Sequence, residues 1–230
     1  MEEVGRVCVA WRRWQLAIAL AGIALAAVAV QAGPAAASAR VSVTLTSEER
    51  DAARTLLLGS VSAYFGLGDD VMVELEKEEP RPIGLLTAIY VAAEEKLPVR
   101  RVLTIQKARG WGWVHGQGHG KGPKWKAKEK TVVVVDDASV EREAFVRFVY
   151  EYYAVPRTQV VVWLDQGLSP DDVILAIHVA KRAHVSVERV VALRTQGLGW
   201  RVIAARYHVP WVWYPIEPRA RFSASITIDF

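Results

Sequence analysis

Cysteine is almost missing from this 230-residue chain: the single one, Cys8, lies in its first few residues. The absence of any later thiol excludes disulfides, thiol catalysis and thiolate metal sites from the rest of the chain, and leaves an ordinary hydrophobic core as the source of stability. Charge of one sign is not in large excess either. The chain has 29 Lys and Arg against 25 Asp and Glu, a net +4, which does not mark a dedicated polyanion binder. Catalytic signatures are missing too: there is no H-E-x-x-H, no G-x-S-x-G and no S-x-x-K with its supporting motifs. A nucleotide partner is not expected, because Lys121 in the glycine-rich stretch is followed by neither Ser nor Thr and no G-x-x-x-x-G-K-[ST] can be written. No cofactor is implied, and the expectation is a protein that is not an enzyme.

The first forty residues have a definite pattern. Arg6, Arg12 and Arg13 precede the apolar run 16–30, which is followed by Gly33, Pro34 and the small-residue stretch 35–39. A positive flank, a short greasy core and an A-x-A end are the parts of a secretory signal, so residues 1–39 are expected to be a removable leader. The protein is then exported to the periplasm or the extracellular space, which argues against genomic DNA as a partner. The competing reading is a retained anchor, since the run approaches the roughly 20 residues that span a bilayer. Membrane contact is expected only through such an uncleaved leader.

Beyond the leader the chain resembles itself. Residues 64–108 superpose on 152–196 at an offset of 88, pairing Ile89 with Ile177, Ala92 with Ala180 and Val102 with Val190. One inserted residue then brings Gly110, Gly112 and Trp113 onto Gly197, Gly199 and Trp200. A 30-residue step lies inside the longer one, with units beginning at Leu67, Leu97, Val155 and Val185. Each unit reads as a helical hairpin, and hairpins this small must stack to bury their apolar stripes. In the clearest unit, Pro156 suits a first helical turn, Val160, Val161 and Leu164 form a stripe, and Gly167 ends the helix. Ser169-Pro170-Asp171-Asp172 then caps and starts the next helix, whose buried face is Val173, Ile177 and Ala180.

The expected fold is therefore mainly α: duplicated, stacked helical hairpins of about 30 residues with short strands near 41–45, 131–135 and 222–230. Helices over 47–65 and 139–153 lead into the two halves. The divisions are 1–39 leader, 40–113 first half, 114–130 a Gly/His/Lys-rich loop, 131–214 second half and 215–230 a C-terminal strand or tail.

The interruptions carry the candidate chemistry. Gly116, Gly118, Gly120 and Gly122 would each cost about 1 kcal/mol in a helix, so this stretch reads as a loop. Its His115 and His119 are candidate ligands for Cu²⁺, Ni²⁺ or Zn²⁺, although two histidines are too few for a tight tetrahedral site. Lys121, Lys124 and Lys126 surround Trp125, a mixture that grips polyanions by charge and stacking; a solvated linker is the alternative. The acidic group Asp69, Asp70, Glu74, Glu76, Glu78 and Glu79 is a further candidate counterpart for that loop. Asp136 reads as a helix cap rather than a metal ligand. In the stretch Gln196 to Ala204, which has helix-turn-helix spacing, Gly197 is assigned to a turn and Trp200, Ile203 and Ala204 to the core. Trp163 falls at a core position, which leaves Trp111, Trp125, Trp211 and Trp213 as candidates for exposed aromatic contacts.

Tyr152, Tyr153, Val155 and Pro156, with Gln166-Gly167-Leu168, Gln196-Gly197-Leu198-Gly199-Trp200 and Ile203-Ala204, form a pattern that resembles uncharacterised exported bacterial proteins with tandem α-helical hairpin repeats. That resemblance covers about residues 64–113 and 152–214. It implies architecture and brings no activity. The functional expectation is a non-catalytic scaffold or binding protein of the cell envelope that recognises a protein, a peptide or an anionic envelope polymer, with Lys121, Lys124, Trp125, Lys126, Trp211 and Trp213 as contacts. The alternatives are metal handling through His115 and His119, and a small hydrolase with a cryptic carboxylate site.

Overall fold

A computed structural model describes residues 44–111, 136–217, 222 and 226–228. Among them are nine helices: α1 (Ser47–Phe65), α2 (Asp69–Glu78), α3 (Pro82–Glu95), α4 (Val99–Arg109), α5 (Asp137–Tyr153), α6 (Arg157–Asp165), α7 (Pro170–Ala183), α8 (Val187–Thr195) and α9 (Trp200–Arg206). The protein is mainly helical. Of the three expected strands, 131–135 lies outside the described residues; the described parts of the other two, 44–45, Phe222 and 226–228, have no strand structure. Phe222 N–H instead bonds to Tyr64 O at 2.8 Å and Thr227 O accepts from Val99 N–H at 3.2 Å, so these tail residues meet a helix C-terminus and a helix N-terminus.

Local chemistry sets the helix ends. Thr46 caps α1 in a reciprocal pair with Glu49, and Ser169 does the same for α7 with Asp172, so each satisfies donors that a first turn leaves unpaired. Asp136 caps α5 by accepting the Ser139 N–H at 2.9 Å, which places the helix start at Asp137, two residues before the expected position. Pro156 lies one residue outside α6, as its N-cap, because its extended ψ of 133° does not belong to a helical turn. Gly167 ends α6 with φ at +94°, and the bonds Leu168 N to Trp163 O and Gly167 N to Leu164 O close the last turn.

Two helices are buried almost all round. From Val173 to Ala180 every residue of α7 is buried, as is every residue of α3 from Gly84 to Ala92, so each must be covered on several sides. The covering is crosswise. The first helix, α1, packs on α7, and α5 packs on α3. Ser60 of α1 and Tyr153 of α5 share a buried hydrogen bond of 2.8 Å, and Tyr64 lies edge-on to Phe148 and Tyr152 at 5.8 and 6.1 Å.

Two tryptophans fasten the ends of this arrangement. Trp200 N–H donates to Glu49 at 2.8 Å and its indole N–H to Asp172 at 2.9 Å, joining α9 to α1 and α7. Trp111 N–H donates to Asp137 at 2.8 Å and its indole to Glu141 at 3.0 Å, joining the end of α4 to α5. This corrects the expectation that Trp111 is an exposed aromatic: it is fully buried, because both of its N–H groups find carboxylates on α5. The bonding of Trp111, backbone N–H and indole N–H each to a carboxylate, matches that of Trp200; Trp113, the expected counterpart, lies outside the described residues.

Candidate functional site

Past α9 the chain turns at His208, φ +56°, and runs without regular structure through residues 210–217. Pro210, Val212, Pro215 and the aromatics between them disfavour a further helix. Successive side chains alternate. Trp211 and Trp213 pack inward, whereas Val212 and Tyr214 are 47% and 64% exposed. The segment lies over the helices like a strap, and each contact has a definite origin.

Trp211 indole N–H donates to Glu48 at 2.8 Å, and Arg201, which also holds Glu48, lies 5.2 Å over the Trp211 ring. The Arg201 and Trp211 bonds hold the Glu48 carboxyl below its usual range, Arg201 contributing most. Trp213 meets Trp211 edge-on at 4.4 Å and lies against His178 at 5.0 Å. Pro215 sits on Gly59 of α1 so closely that a Cβ there would be 2.5 Å from Pro215 Cγ, which explains glycine in the middle of that helix. Tyr152 donates to Ile216 O. Trp211 and Trp213, expected as exposed contacts, are half-buried and meet each other as anchors; the groups they hold out to solvent are Val212 and Tyr214.

His178 is 2% exposed on α7, and among the described residues neither of its ring nitrogens has a hydrogen-bond partner. Burial, with Arg182 adding repulsion, lowers its pKa to about 4, so the ring is neutral at pH 7. At the 88-residue offset its counterpart is Tyr90, which is buried as well.

A second concave feature opens between α3 and α5, with a volume of about 250 Å³. Tyr90, Val91, Val140 and Ala144 line it with apolar surface, and Glu94, Glu143 and Arg147 supply charge. Behind it Glu151 accepts from Tyr90 at 2.6 Å, Tyr64 at 2.9 Å and Arg147 at 2.9 Å. Burial works to raise the Glu151 pKa, but the bonds from Tyr90, Arg147 and Tyr64 outweigh it and hold the group ionised below the usual range. Burial and the same carboxylate push Tyr64 up to about 12 and Tyr90 higher still. Three donors on one carboxylate make a brace between α1, α3 and α5. Nothing in the sequence singled out Glu151, since two of its three partners, Tyr64 and Tyr90, come from distant helices.

Lys121, Lys124, Trp125, Lys126, His115 and His119 lie outside the described residues. Four of the acidic residues suggested as partners for that loop are paired elsewhere: Glu74 with Lys77, Glu76 with Arg54, Glu78 with Arg100 and Glu79 with Arg81. Among the described residues no cluster of three or more His, Cys, Asp or Glu is placed to hold a metal ion, and no helix is long and apolar enough to cross a membrane. No protein-family model, curated protein or solved structure matches the chain.

Proposed function

We propose that this protein is a non-catalytic, exported scaffold or binding protein of the bacterial cell envelope that recognises a protein, a peptide or an anionic envelope polymer. The observation that carries the reading is the anchored strap. Trp211 and Trp213 are fixed by Glu48, Arg201 and α7, and this holds Val212 and Tyr214 in solvent on a backbone whose ordering entropy is already spent. Large apolar groups held out in this way suit recognition of another surface. The Lys121, Lys124, Trp125 and Lys126 stretch supplies the charge for an anionic partner, and the leader sequence supports the location.

The duplicated-hairpin architecture belongs to the same reading. It is supported by helix starts: Asp69, Pro82 and Val99 begin α2, α3 and α4, and Arg157, Pro170 and Val187, 88 positions later in each case, begin α6, α7 and α8. Repeat scaffolds of stacked helices present broad surfaces rather than single deep clefts.

The test is affinity capture from envelope extracts with the mature protein, compared with Val212→Ser/Tyr214→Ser and Lys124→Ala/Trp125→Ala/Lys126→Ala variants. The expected result is a partner that both variants lose and that salt weakens for the lysine-dependent part. A partner list unchanged by either variant would overturn the assignment of these contacts.

A second reading, a small hydrolase, draws on Glu94 and Glu143, two carboxylates lining one cavity. Each is held by an arginine, Glu94 by Arg147 and Glu143 by Arg157, which favours binding over acid or base chemistry there. Ester or peptide hydrolysis that disappears in Glu94→Gln or Glu143→Gln would reverse that preference.

A further inference from the structure

We infer that the strap over residues 212–217 is an acid-released latch, in which protonation of His178 loosens the segment from α7 while the helices remain folded. Three buried nitrogens meet where strap and helix touch: Nδ1 and Nε2 of His178 and Nε1 of Trp213, all without a partner among the described residues. A neutral imidazole at this place leaves a donor and an acceptor unmet. An imidazolium has two donors, and the neighbouring indole offers a third donor instead of an acceptor. Protonation therefore turns an imperfect contact into one that water can satisfy only if the strap lifts.

The surrounding charges reinforce this. Arg182, one turn further along α7, repels a proton on His178. Charged groups on the other packed helices are engaged elsewhere: Arg50 of α1 acts on Asp171, Arg194 of α8 on Asp172, Asp165 of α6 on Arg142 and Arg201 of α9 on Glu48. Among the described residues no carboxylate acts on His178 to steady its cation. The strap itself brings only Glu217, whose charge acts on Tyr152.

The rest of the strap is built to survive the same acidification. Glu48 keeps its charge below the usual carboxylate range and so retains Trp211, and Phe222 is fixed by the rings of Tyr64, Phe65 and Tyr90. Residues 212–217 are the described part of the chain between these two anchors, and the contacts of Pro215 with Gly59 and of Tyr152 with Ile216 O are the ones that open with them. Their release would withdraw Val212 and Tyr214 from their fixed positions, a consequence that rests on the binding reading above, whereas the release itself does not.

Hydrogen exchange of the full chain, read by mass spectrometry and corrected for intrinsic rates, tests the latch without any ligand. With His178 lowered from its ordinary 6.5 to about 4, opening of residues 212–217 should increase roughly 120-fold between pH 7 and pH 4. Exchange in α1 and α7 should stay slow. His178→Phe, or His178→Leu if the larger ring does not fit, should leave the strap protected at pH 4. An unchanged wild-type strap would overturn the latch, as would equal loosening in the variants, or loss of α7 protection together with the strap.

Discussion

Replacing Arg194 by methionine tests the most deeply buried charge pair among the described residues. Arg194 and Asp172 have side-chain exposures of 4% and 11%, and Arg194 Nε meets Asp172 Oδ1 at 2.8 Å. The same carboxylate oxygen accepts the Trp200 indole N–H, and Oδ2 accepts from the Ser169 hydroxyl at 2.7 Å, so one residue joins the start of α7 to α8 and α9. Methionine keeps most of the volume and removes the cation. The remaining carboxylate is then buried with its two neutral donors, and removing one partner of a buried pair costs about 3–5 kcal/mol. Because Trp200 and Ser169 remain, the loss should lie near the lower end, about 3 kcal/mol. For a chain of this size that lowers the melting temperature by roughly 6–12 °C. Asp172→Asn should cost a similar amount by removing the counter-charge of the guanidinium, although Leu198 O remains as an acceptor for it. The double variant should be less damaged than the sum of the two, with a coupling of about 2 kcal/mol or more in urea unfolding followed by far-ultraviolet circular dichroism. A single-variant loss below about 1 kcal/mol, or strict additivity in the cycle, would refute the claim that this pair is a joint of the fold.

Other perturbations follow from local geometry. Ala154 ends α5 at φ +59°, where glycine is the natural residue, so Ala154→Gly should raise stability by about 1 kcal/mol while Gly66→Ala, at φ +68°, lowers it by a similar amount; thermal melts decide. Gly59→Ala should cost about 1–3 kcal/mol through the collision with Pro215 and should make residues 210–217 sensitive to limited proteolysis before the helices are. At alkaline pH, Tyr64 is raised to about 12 by burial and Glu151, above its unfolded value near 10, so its contribution to stability is intact below pH 10 and is lost as pH rises toward 12. Spectrophotometric titration should accordingly show Tyr64, Tyr90 and Tyr153 ionising only in a late phase that coincides with unfolding; early, reversible ionisation of all seven tyrosines would contradict this.

The helices were legible because their signals are local. Ser169 through Asp172 announces a helix start by capping and dipole chemistry that involves neighbours only, and the stripe Val173, Ile177, Ala180 needs no partner to be seen. Gly167 and Gly197 mark helix ends because the left-handed turn there favours glycine for steric reasons. What the sequence did not show is the crosswise packing, since the bond from Trp200 to Glu49 leaves no trace in either segment taken alone. The burial of Trp111 was hidden for the same reason, because carboxylates on α5, a separate helix, seat its ring. At the strap, composition pointed to Trp211 and Trp213, but it took the helices beneath to show that these face inward and their neighbours outward. The Glu151 brace was invisible, because tyrosines from two other helices define it.

The crosswise packing also fixes an order of events during synthesis. Glu49 and Trp200 are 151 residues apart, so the first helix does not complete its contacts until nearly the whole chain has been made. Most helical proteins complete their contacts between neighbours and fold quickly; one that waits for such a distant partner folds more slowly and spends longer with greasy surface uncovered. Chaperone dependence and a slow, late-closing refolding phase are the traits to look for in this molecule.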